Sequence, residues 1–149
     1  MTEILFYQLE KQPLEEVLPQ LLEKTLERGW RACVKAGGEE RVEALSHALW
    51  TWREESFIPH GTARDGNAEL QPIWITASDE NPNGAVVRFL VDGASIESFD
   101  GLVRAVYLFD AADAQALEWA RARWKEIKAL GHNVTYWRQD EVGRWMKQE

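Results

Sequence analysis

Leu102-Val103-Arg104-Ala105-Val106-Tyr107-Leu108-Phe109 is the most apolar run in the chain, and a helical pattern from Ala111 to Leu130 follows it directly, closed by Gly131. A short run rich in branched and aromatic side chains reads as a strand buried on both faces, as at the centre of a parallel sheet. Val134 to Trp137 then reads as the next strand, which completes a strand–helix–strand unit. The same alternation runs upstream. Ile4 to Leu9 is a first strand, and Leu14, Val17, Leu18, Leu21, Leu22, Thr25 and Leu26 repeat at helical spacing up to Gly29. Pro13 suits the start of that helix, whereas Pro19 inside it predicts a kink or a late start. Trp30 to Ala36 is a second strand, and a second helix runs from about Glu39 to Trp52. A long loop, Ser56 to Gln71, precedes strands at Ile73–Ala77 and Val86–Val91, with turn residues Asp79 to Gly84 between them. The fold class is therefore α/β: a three-layer α/β/α domain with a mainly parallel sheet. Residues 1–149 form a single domain, of which about 139–149 is a polar C-terminal extension anchored by Trp145.

Composition narrows the function. The chain has 149 residues, 25 acidic and 17 basic, for a formal charge of −8. Direct nucleic-acid binding and docking on anionic lipid both need a surplus of cations, so both are disfavoured. The single cysteine allows no internal disulfide and fits a reducing compartment. No signal-peptide pattern opens the sequence and no run approaches a membrane span, so a cytoplasmic protein, monomeric on its own, is expected. Eight tryptophans are more than the core of such a domain obviously requires.

Enzymatic chemistry finds little support. The turn after the first strand, Glu10-Lys11-Gln12-Pro13, has no glycine, and the turn after the second has only Gly37-Gly38. Neither offers the glycine-rich cradle that brings backbone N–H groups onto a phosphate. His47, His60, His132 and Cys33 lack metal-ligand spacing, and Cys33 reads as a small buried hydrophobe. Ser56 and His60 flank one loop without a nucleophile-elbow pattern. No cofactor or catalytic set is expected. The alternative that remains is a small hydrolase or nucleotide-dependent enzyme using His60 and a nearby acid.

Two surface constellations stand out. On the second helix, Val42, Leu45, Leu49 and Trp52 share one face, while Trp50 lies well off it and is followed by Phe57-Ile58-Pro59. Either this is an exposed apolar patch for a partner, or the loop folds back over Trp50. On the last helix, Ala116, Ala120, Ile127 and Leu130 define the buried side, with Trp124 at its edge. Arg121 and Lys128 stand at i−3 and i+4 from Trp124 on one flank. Two cations beside an aromatic ring suit a peptide carboxylate with an apolar neighbour; equally, they could complement the helix dipole. Arg123 points near the buried side and needs an acidic partner.

The chain resembles the chi subunit family of bacterial DNA polymerase III. The likeness rests on Phe6-Tyr7, Ala48-Leu49-Trp50, Ser56-Phe57-Ile58-Pro59-His60, Asn81 to Gly84, the Ala120 to Lys125 segment and Gly131-His132-Asn133, in that order. The resemblance implies a non-catalytic accessory subunit of nucleotide-binding-like topology that binds no nucleotide. It also implies that the subunit links the clamp-loader complex to the C-terminal tail of single-stranded DNA-binding protein, which ends in proline and phenylalanine. Carried over, Arg121 would hold the tail's carboxylate, Trp124 would form the apolar wall, and Leu117 stands where some relatives have a lysine, with Lys128 as a replacement. Trp50, Phe57, Ile58 and Pro59 would face the psi subunit or a helicase in its place.

Overall fold

The computed structural model describes residues 2–52, 58–96 and 98–148. Seven strands form one sheet: β1 (Glu3–Leu9), β2 (Ala32–Lys35), β3 (Ile73–Thr76), β4 (Val87–Leu90), β5 (Arg104–Asp110), β6 (Asn133–Gln139) and β7 (Trp145–Gln148). They lie in the order β3-β2-β4-β5-β1-β6-β7, and each neighbouring pair is parallel except β6 with β7. The decisive run, Leu102 to Phe109, supplies β5, which sits between β4 and β1 near the middle of the sheet.

Alternation along the central strands separates two cores. Leu5 and Leu9 of β1 with Val106 and Leu108 of β5 face one side, where α1 (Leu14–Glu27) contributes Val17, Leu18 and Leu22 and α2 (Glu39–Thr51) contributes Val42, Leu45 and Leu49. Ile4, Phe6, Ala105, Tyr107 and Phe109 face the other side, under α3 (Ala114–Ala129). The result is the expected three-layer α/β/α arrangement, with strands buried on both faces because helices lie on both.

The structure departs from the sequence reading at several places. Pro19 sits inside α1, which runs through it as one element with Pro13 at its N-cap. α3 starts three residues later than the pattern predicts, at Ala114, because the Asp113 carboxylate accepts the N–H groups of Gln115 and Ala116. Leu130, expected on the buried side, is the C-cap residue and is 68% exposed; the chain turns away there at Gly131, in a left-handed conformation. Residues after Gln139, expected as a polar extension, form a β-hairpin: β7 pairs antiparallel to β6, and Trp145 meets Tyr7 edge-on with ring centroids 4.6 Å apart. Among the described residues, no helix is long and apolar enough to cross a membrane.

Candidate functional site

In doubly wound sheets, ligands sit where connections leave adjacent strands in opposite directions, at the carboxyl ends of the strands. Here that point lies between β1, whose chain crosses to β2, and β5, whose chain crosses to β6. A crevice of about 780 Å³ opens there. Glu10, Asp92, Asp110 and Asp113 line it against Lys11 and Arg41, and the β1 loop carries no glycine. A phosphate would meet a surplus of carboxylates in place of converging N–H groups.

The outer flank of α3 is built differently. Ala120 and Ile127 are fully buried and fix the helix on β5 and β1, which leaves Arg121 and Lys128 exposed and Trp124 half-buried between them. The Lys128 ammonium stands 4.6 Å above the Trp124 ring, a cation–π contact that keeps the cation on the aromatic face. The Trp124 ring in turn meets Tyr136 of β6 at right angles, with centroids 6.3 Å apart. Tyr136 is what the sequence reading missed, because it comes from the sheet and shares no helical spacing with the other residues. Its hydroxyl donates to Gln8; burial raises the phenol's pKa while the nearby Arg121 guanidinium draws it back. Leu117, one turn before Arg121, packs partly buried at the edge of the same core. Arg121, Trp124, Lys128, Leu117 and Tyr136 thus form one flank of guanidinium, ammonium, phenol and indole. Arg123 points the other way and finds the acidic partner it needs in Glu126, at 2.9 Å, while also donating to the Ile96 carbonyl.

At the end of α2, Trp50 is 56% exposed, the one tryptophan of the eight whose ring stands mostly in water. It leans on His60 with ring centroids 5.0 Å apart. Ile58 is 1% exposed and belongs to the α1–α2 core, so it anchors the segment, and Pro59 is half-buried beside it. Ser56 and Phe57 lie outside the described residues. His60 is itself buried. Its Nδ1 donates to the Ile58 carbonyl, and its Nε2 faces the Ser46 hydroxyl at 3.1 Å. A histidine base in a catalytic triad is oriented by a carboxylate at Nδ1; here a backbone carbonyl fills that position, which ties down the loop. No group of three metal-ligating side chains occurs among the described residues.

Fold and crevice together define a class: a mostly parallel α/β/α domain of nucleotide-binding-like topology whose crevice at the carboxyl ends of the strands lacks phosphate-binding glycines in the β1 loop. Residues 1–135 match the family described as DNA polymerase III chi subunit, HolC, and the chain belongs to that family, an accessory subunit of a replicative polymerase. A probable DNA polymerase III subunit chi from Rickettsia prowazekii (strain Madrid E) is 28% identical over 96 residues, which cover 64% of this chain and 58% of the relative.

Proposed function

We propose that this chain is a non-catalytic subunit that links the clamp-loader complex to the C-terminal tail of single-stranded DNA-binding protein. The observation that supports this reading is the α3 flank, where Arg121 beside Tyr136 and Lys128 over Trp124 put two cations around one aromatic face. A tail ending in proline, phenylalanine and a free carboxylate is the complement of that surface. The guanidinium grips the carboxylate, and the ring pair of Trp124 and Tyr136 takes the phenylalanine. Leu117 offers no cation one turn before Arg121, and Lys128 supplies the second one a turn beyond Trp124. Trp50 and Pro59 form the second docking surface, for the psi subunit or a helicase.

Calorimetric titration with a peptide ending in acidic residues, proline and phenylalanine tests the reading, with the C-terminally amidated peptide as control. The free-carboxylate peptide binds and the amidated one does not. Hydrogen bonds to charged groups contribute about 1.5–3 kcal/mol, so Arg121→Ala weakens binding by roughly tenfold to a hundredfold while the fold persists. Binding also weakens as salt rises. Wild-type affinity in Arg121→Ala would sink the assignment of this flank.

A further inference from the structure

Three of the eight tryptophans, Trp30, Trp137 and Trp145, gather about one groove on the α1 side of the sheet. The groove, of about 300 Å³, opens between the C-terminal half of α1 and the sheet from β4 across to β7. Its floor is apolar, with Leu5, Phe89 and Val106 buried there. Tyr7, Trp137 and Trp145, each half-buried, form an aromatic wall; the Tyr7 centroid lies 4.6 Å from that of Trp145 and 6.3 Å from that of Trp137. Trp137 and Trp145 lie beyond residues 1–135, so the wall is built largely from a stretch that the family match does not cover.

Charge in the groove runs against the balance of the chain. Lys24, Arg28 and Arg104 line it against one carboxylate, Glu3. The Arg104 Nε donates to Glu3 at 2.6 Å, so that carboxylate is already engaged. Lys24 and Arg28 are exposed and make no ion pair among the described residues. Arg28 and Arg104 stand over the Trp30 ring, 5.3 and 5.5 Å from its centroid, and these cation–π contacts hold both guanidiniums beside the groove. Burial raises the pKa of the Tyr7 phenol, and Arg104 and then Arg28 oppose the rise, which sets that hydroxyl near both cations.

We infer that this groove docks an acidic segment of a partner protein, with one apolar side chain seated against Tyr7, Trp137 and Trp145 and a neighbouring carboxylate on Lys24 and Arg28. The residue types argue for a protein partner, because tryptophan, tyrosine and arginine dominate interface hot spots. The volume stands at the lower bound of small-molecule pockets and suits a single large side chain. The formal charge of −8 sets a long-range field against a polyanion such as nucleic acid, whereas one or two carboxylates at contact feel the local cations within a Debye length of about 8 Å. The groove shares no residue with the α3 flank or the Trp50 surface, and the inference does not depend on the partners assigned to them.

Nitrogen-15 NMR of the tryptophan indole N–H groups tests this with blocked tripeptides, which carry no terminal charge. The probes are acetyl-Asp-Phe-Asp-amide, its counterpart with asparagine in place of aspartate, and its counterpart with alanine in place of phenylalanine. The Trp137 and Trp145 signals, assigned from Trp137→Phe and Trp145→Phe, shift saturably with the first peptide and about tenfold or more weakly with the other two. Separate titration curves for Trp124 and Trp50 distinguish the groove from the other two surfaces. Lys24→Gln combined with Arg28→Gln, both at exposed positions, weakens the first peptide by roughly tenfold. Unmoved Trp137 and Trp145 signals overturn the inference. Equal binding of the asparagine peptide, or undiminished binding by the double variant, overturns it as well and leaves Lys24 and Arg28 as complements of the α1 dipole. A shift with oligothymidylate and none with the peptide overturns it too, and makes the groove a nucleic-acid site.

Discussion

Cys33 lies on β2 between Trp74 and Arg88 in register, fully buried, with its thiol toward the Glu80 carbonyl. Its burial was legible in the sequence, since a lone cysteine in a short apolar strand reads as a small hydrophobe; its charged neighbour Arg88 was not, because the period-2 pattern of V-R-F-L places arginine on a face whose cover only the fold reveals. Burial pushes the thiol from 9.0 to about 11, Arg88 opposing and Glu80 adding to the rise. Below pH 9.0 the folded and unfolded states are both protonated at this group, and it contributes no pH dependence. Between 9.0 and about 11 the unfolded chain loses the proton first, so stability falls as pH rises, by at most about 1.4 kcal/mol per pH unit. Urea unfolding of wild type and Cys33→Ala across that window checks this: the wild-type curve falls more steeply, and parallel curves would show the thiol to be solvated. Native Cys33 also reacts slowly with thiol reagents at neutral pH, and fast once unfolded.

The C-terminal hairpin shows where element-level reading stops. Central strands announce themselves by unbroken apolar runs, as Leu102 to Phe109 does, because both faces are covered. β7 is an edge strand whose residues after Trp145 are exposed, and its sequence, W-M-K-Q, carries no such signal. What makes the hairpin is local chemistry in the turn. Asp140 accepts the N–H groups of Val142 and Arg144, each at 2.9 Å, and the Arg144 guanidinium at 3.1 Å. Those bonds, the Arg144 N–H foremost, hold the carboxyl below its ordinary value of 3.8. A depressed carboxyl stabilises the hairpin above that value and ceases to do so as pH falls through its folded-state value. Asp140→Ala therefore loosens β7 at neutral pH, and acid does the same to wild type. The Trp145 indole NMR signal reports both, moving toward its random-coil position. An unmoved signal in the variant would assign the hairpin's order to the Trp145–Tyr7 contact instead. On α3 the same limit applies in reverse: helical spacing brought Arg121, Trp124 and Lys128 together, but Tyr136 reaches them across the sheet and has no sequence neighbour among them.

At the scale of the whole molecule, the two candidate surfaces belong to different layers. Trp50 ends α2 on one side of the sheet, and Arg121 stands on α3 on the other, with the strands between them. The order of elements was enough to place α1, α2 and α3 in a three-layer fold, but not to say which helices share a layer; that follows from β1's position next to β5, a long-range pairing with no local signal. Separation by a packed sheet has an energetic consequence. Sites without shared partners, more than about 7–10 Å apart, combine additively to within about 0.3–0.5 kcal/mol. Trp50→Ala should therefore bind the free-carboxylate tail peptide within roughly twofold of wild type, while Arg121→Ala weakens that binding by roughly tenfold to a hundredfold. Under the function proposed above, the same geometry leaves the Trp50 surface and the Arg121 flank free to be occupied at once. Calorimetry on the Trp50 variant decides it. A large loss of tail affinity there would mean that the sheet couples its two faces, and the bridge would then be a switch in which one partner's arrival changes the hold on the other.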